Sequence, residues 1–186
     1  MNKTIQLLAN ICEKHRFEEK LLFVPSYSIG HQIGEHLAQT GKSWINLRVS
    51  TVAGYAQEIG AQELSRDGIR LIDSQERFVI IENLYCSEDS LGGKGSYFEG
   101  ASEIPGILKC LADAVHELRM AELDHENIDP DVFIIREKGD ELIRLLASYE
   151  NFLKENRLID HAGMISMAVE KTKEGERLPS FYAALR

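Results

Sequence analysis

The sequence predicts an α/β protein: a small parallel sheet covered by helices, followed by an α-helical subdomain. Three observations predict it. In residues 1–86, short apolar runs alternate with segments of helical period, the pattern of parallel strands joined by crossover helices. Residues 87–101 are polar and contain four glycines, which reads as a flexible linker. Residues 102–186 carry amphipathic helical stripes. The expected organisation is therefore an α/β core over 1–86, a linker over 87–101 and a helical subdomain over 102–186.

Each element has its own justification. Ile5, Leu8 and Cys12 share a stripe with Leu7 and Ile11 beside them, so a helix is expected over 3–17. The run LLFVP then reads as a buried strand ended by Pro25, which cannot donate to a ladder. Ser28 is placed to cap the next helix, which carries Ile29, Ile33 and Leu37 and closes at Gly41. Ile45, Leu47 and Val49 alternate with Asn46 and Arg48, giving a second strand that ends near Ser50. Thr51 opens a helix through Ala53, Ala56, Ile59 and Leu64, and Gly68 stops it. IRLID, residues 69–73, is a third short strand, and Ser74 starts a helix containing Phe78, Ile81 and Tyr85. Beyond the linker, helical stripes run through Ile107, Leu111, Val115 and Leu118, then Leu142, Leu145, Leu146, Tyr149 and Leu153, then Ile159, Met164 and Val169. Such stripes are core before they are anything else.

Composition narrows the function classes. With 186 residues, 44% of them hydrophobic and 27% charged, the chain can bury a core without staples. No apolar run approaches the roughly 18 residues needed to span a bilayer, and NKTIQLLANICEKH has no signal-peptide layout, so a cytoplasmic location and no membrane partner are expected. Cys12, Cys86 and Cys110 are odd in number and widely spaced, which suggests neither a disulfide framework nor a zinc site. The formal charge of −9 argues against an independent, tight DNA-binding module but leaves room for a weak or local nucleic-acid surface.

Several motifs come close to known chemistry and miss it. GEHLAQTGKSW ends in the Gly-Lys-Ser of a phosphate-binding loop, but His36 stands where the first glycine belongs, and the segment follows a helix instead of opening one. HQIGEH has one residue too many for an inverted zinc-protease motif. On a helix His31 and His36 lie about 140° apart, too far round to share a metal. VHELRMAEL has Met120 at the second ligand position, and YSIG lacks the leading glycine of a nucleophile elbow. No catalytic, cofactor-binding or metal-ligating residue is expected, and no cofactor.

Three segments, in order, carry a resemblance. LLFVPSYSIGHQIGEHLAQ resembles motif Ia of the UvrD-like superfamily 1 helicases, INLRVSTVAGYAQEI resembles the strand and Thr-bearing segment that follow, and YENFLKENRLIDHAGMISMAVE resembles a later helix and turn. In the last, Tyr149, Leu153, Asn156, Leu158 and Asp160 fall on pattern, while His161 and Gly163 depart from it; in the second, Val52, Ala53 and Gly54 replace the aromatic and polar residues after Thr51. The likeness is greatest to the amino-terminal helicase-like domain of the AddB-like subunit in AddAB-type ATP-dependent helicase–nucleases, proteins of the PD-(D/E)XK nuclease family.

That resemblance implies a P-loop-helicase-like 1A domain, followed by a 1B-like helical subdomain. The first strand and Walker A sequence are missing ahead of the helix over 3–17, so the motor fold would have a degenerate ATP site. It further implies the amino-terminal piece of a longer double-strand-break repair subunit, without catalytic residues of its own. Expected partners are a second helicase–nuclease subunit and, in the full-length protein, weakly held single-stranded DNA. The DNA would meet the carboxyl ends of the strands, at Pro25, Ser26, Tyr27, Arg48, Ser50 and Thr51, with Lys42 adding charge. Two structural roles compete there: Tyr27 packing over the sheet edge, and Thr51 capping its helix. Two other functions compete as well, a helical protein-interaction module with no nucleic-acid role and a small doubly wound nucleotide-binding enzyme.

Overall fold

The structure, a computed structural model, describes residues 3–41, 43–87, 95–100 and 103–173, with the backbone of 181–184. Among these are seven α-helices and five short strands, so the protein is mostly helical with small parallel sheets. It divides into two compact units, residues 1–60 with 167–186, and residues 61–166. The boundaries fall inside α3 (Val52–Asp67) and α7 (His161–Lys173).

The first unit begins with α1 (Lys3–Lys14), which buries Ile5, Leu8, Ala9 and Cys12, one face at helical spacing. β1 (Lys20–Phe23) follows, with Leu21 and Leu22 each 1% exposed. Its first residue, Lys20, is buried too, and its ammonium donates to the His15 and Glu18 carbonyls at 2.6 Å each. β1 lies between β2 (Leu47–Ser50) and β5 (Phe181–Ala184), all three parallel, with Phe23 opposite both Ser50 and Ala184. α2 (Tyr27–Ala38) packs Gly30, Ile33 and Leu37 inward, joining Leu22, Val24 and the α1 stripe in one core.

Local chemistry moves some boundaries. α2 is capped by Ser26, not Ser28: Ser26 has extended backbone and its Oγ accepts from the Ile29 N–H. Pro25 ends the strand, so the first hydroxyl after it takes the cap. At the far end Gln39 is the cap and Gly41, at φ +70°, turns the chain beyond it, while Lys42 lies outside the described residues. Gly41 thus leads from a helix into a strand, the reverse of a phosphate loop's order. β2 starts at Leu47 because Asn46 sits at φ +56°, its side chain donating to the Phe17 carbonyl at 2.9 Å.

The third expected strand is β3 (Arg70–Leu71), but it does not join β1 and β2. It pairs in parallel with β4 (Leu158–Ile159) in the second unit, where Ile72 enters the core at 1% exposure. That core is built by α4 (Ser74–Cys86), α5 (Ile107–Met120) and α6 (Arg136–Glu155), through Ile81, Tyr85, Leu111, Val115, Leu146 and Tyr149. α4 starts at Ser74 as expected, under a capping box in which Asp73 accepts from the Gln75 and Glu76 N–H groups and Glu76 accepts from Asp73 N–H.

The compact units therefore differ from the expected division at 87–101. α4 packs on α5 and α6, which places it with the helical half, and β5 returns to β1. Within 87–101, residues 95–100 are held in place: the buried Glu141 carboxylate accepts from the Tyr97 and Phe98 N–H groups, and the Tyr85 hydroxyl donates to the Phe98 carbonyl. Residues 88–94 and 101–102 lie outside the described residues.

Candidate nucleic-acid interface

The register of the sheet sets the site. Because Phe23 pairs with Ser50, β1 and β2 end level, and α2 and α3 both start from that edge. Two helix amino termini, the partially positive ends of their dipoles, begin side by side at these strand ends. Val24 N–H donates to the Ser50 carbonyl at 2.9 Å and carries the pairing one residue further.

The six residues expected at this edge take different roles. Pro25 ends β1, and Ser26 caps α2. Tyr27 is 61% exposed on the first turn of α2. Ser50 is buried, and its hydroxyl donates to the Thr51 carbonyl at 3.2 Å. Thr51 caps α3, its Oγ1 accepting from the Gly54 N–H at 3.0 Å. A cap hydroxyl accepts through a lone pair and keeps its own O–H to donate, so this role leaves Ser26 and Thr51 able to meet an anion.

Gly54 brings three of these hydroxyls together. A β-carbon there would collide with the Tyr27 hydroxyl and come within 3.0 Å of Thr51 Oγ1 and 3.4 Å of Ser50 Oγ. The glycine that departs from the helicase pattern is thus what lets Tyr27 approach the β2 end. Arg48 does not contribute a free cation. Its guanidinium forks onto Glu58 with both bonds at 3.1 Å, lies 3.9 Å from Glu19 and sits over the Tyr55 ring at 5.3 Å. The side chain finds acids before it could find a phosphate.

Sequence reasoning missed Trp44. Together with Tyr27, Gly30, His31, Gly34 and Val49 it lines a shallow depression of about 540 Å³ on α2. An indole and a phenol bordering one depression offer flat faces for stacking. Only the indole's placement on an αβ loop, beside a glycine-bearing helix face, reveals this.

The other residues that carried the resemblance meet in the second unit. Asp160, 1% exposed, accepts from Arg119 Nε at 2.9 Å and Nη2 at 3.2 Å, from the Tyr149 hydroxyl at 3.2 Å and from the Gly163 N–H at 2.9 Å. Arg119 Nη1 also donates to Glu150 at 2.7 Å, whose other oxygen meets His125 Nδ1 at 2.6 Å. Burial alone would raise the Asp160 carboxyl, but the bonds and charge of Arg119, then Gly163 and Tyr149, hold it below the ordinary carboxylate range. Burial, then the Asp160 charge, pushes the Tyr149 phenol up. Gly163 is small by need, since a β-carbon there would press within 2.9 Å of Ile159 Cγ1 and 3.3 Å of Arg119 Nη2. Both oxygens of Asp160 are engaged, as in a network that specifies packing.

Among the described residues no group of three or more His, Cys, Asp or Glu side chains is placed to hold a metal, and no helix is long and apolar enough to cross a membrane. No family model and no curated protein matches the chain.

Proposed function

We propose that this chain is a non-catalytic, helicase-like amino-terminal domain of a bacterial double-strand-break repair helicase–nuclease subunit, cytoplasmic, with a degenerate ATP site. It acts as scaffold for a partner subunit and touches single-stranded DNA weakly. The observation that carries the DNA contact is the convergence of the Tyr27, Ser50 and Thr51 hydroxyls around Gly54 at the level ends of β1 and β2. The order and spacing of the three resembling segments support the family, the P-loop-helicase-like 1A and 1B-like assignments and the partner subunit. Tyr27 and Trp44 supply stacking faces, and the capping hydroxyls with the amino termini of α2 and α3 supply phosphate donors, contacts indifferent to base identity.

The test is fluorescence anisotropy with a labelled oligothymidine. Tyr27→Ala should weaken binding about tenfold, the value of one lost stacking contact, with no change in thermal midpoint. Thr51→Ala should weaken binding and also cost about 1 kcal/mol of stability through its cap, whereas Thr51→Ser should keep both. Wild-type protein that binds no oligothymidine at low salt would remove the DNA contact from the proposal. The exposed Val132, Ile134 and Ile135 would then favour the second reading, a helical module that docks a protein partner and meets no nucleic acid.

A further inference from the structure

Arg77, on α4 in the second unit, is 7% exposed, and its Nε is buried without a hydrogen-bond partner. No ion pair joins it to a described carboxylate; Asp160, the fully buried acid of the same unit, is already occupied by Arg119, Tyr149 and Gly163. His116 Nδ1 is likewise buried without a partner. Burial, then the charge of Arg77, holds that imidazole toward its neutral form. A buried guanidinium nitrogen left without an acceptor is unfavourable, and no described side chain answers it.

Arg77 stands in the wall of a cavity of about 710 Å³ between α4 and α5, within the size range of small-molecule sites. Phe78, Ile104, Pro105 and Leu108 give that wall its apolar part. α5 begins at the cavity from Gly106, at φ +86°, and no side chain caps it, so its first turn faces the same space with its amino end unsatisfied by a cap. Lys109, also in the wall, is engaged at the surface by Asp113 at 3.5 Å.

We propose that this cavity binds a small organic carboxylate, the carboxylate on Arg77 and the first turn of α5, the apolar body against Phe78, Ile104 and Leu108. An Arg fork matches a carboxylate in shape as well as charge. Glu82 and Asp113 in the same wall set it against a dianion such as phosphate. The site lies wholly in residues 61–166 and shares no residue with the nucleic-acid edge, so either can fail without the other.

The test is an amide-shift NMR titration of the full 186-residue chain with phenylbutyrate, its neutral amide and inorganic phosphate. Phenylbutyrate should give saturable shifts confined to α4 and α5, with the amide weaker by about tenfold, as expected for one charge-assisted contact. Phosphate should be weaker still. Arg77→Met should abolish the shifts and, having removed a buried nitrogen left without an acceptor, melt no lower than wild type. Ile104→Glu, at a half-exposed position, should also abolish them. The proposal is overturned if phenylbutyrate gives no saturable shift, if amide or phosphate binds as well, or if both variants bind normally. It is equally overturned if Arg77→Met melts well below wild type, because the guanidinium would then have its partner within the fold.

Discussion

Asp160 shows how much one side chain can hold. Asp160→Ala takes two hydrogen bonds from Arg119, whose side chain is 17% exposed and keeps its bond to Glu150, and leaves the Tyr149 hydroxyl and Gly163 N–H without their acceptor. Breaking a buried pair in this way costs about 3–5 kcal/mol, which urea denaturation at neutral pH would read directly. The carboxyl's depressed folded value also gives a direction with pH. The unfolded chain, with an ordinary value of 3.8, takes up the proton first, so the contribution is whole above that pH and is lost as the pH falls through the lower folded value. Asp160→Asn should therefore flatten the acid limb of stability against pH; an unchanged acid limb would place the network's charge elsewhere. The sequence pointed to Tyr149 and Asp160 by pattern, but not to Arg119 on α5, which meets Asp160 from 41 residues away.

The glycines of α2 test how the helix meets the sheet. A β-carbon on Gly30 would reach Val49 Cγ1 at 2.5 Å, while one on Gly34 would have nothing within 4 Å. Gly30→Ala should lower stability by about 1–3 kcal/mol through overpacking against β2. Gly34→Ala, four residues on, should raise it by about 0.5–1 kcal/mol through helix propensity alone. Thermal melts of the two variants moving in the same direction would contradict this packing. The helical period of α2 was legible from Ile33 and Leu37. Its start was misjudged by two residues, because two serines stand after Pro25 and only backbone geometry selects Ser26 as the cap.

Across the whole molecule, charge governs how any DNA contact behaves. The chain carries −9, and Arg48, the cation on β2, is already forked onto Glu58. Hydroxyls and helix ends neutralise few phosphates, so few counterions are released. The slope of log affinity against log salt should be shallow, between 0 and about −1.5, as for one or two phosphates on a single strand. An anisotropy series over salt that gave a slope steeper than about −3 would move the contact to a lysine- and arginine-bearing surface instead.

The sequence by itself determined where the helices and the first three short strands fall, since apolar period, proline and glycine act within a few residues of each other. It did not show β4, where Ile159 reads as part of a helical stripe, or β5, both in the half that reads as helical. It also determined that Gly41, Lys42 and Ser43 do not stand in a phosphate-loop context, since the pattern before them is helical. Tertiary structure alone decided the pairings. A two-residue strand such as β3 has no period to read, and which edge it joins depends on a partner nearly ninety residues later. β5 returns beside β1 from the far end of the chain, Arg48 is spent on Glu58, and Arg77 is buried facing a cavity. Each of these rests on a contact between distant positions, and spacing along a chain carries no record of what folding brings opposite it.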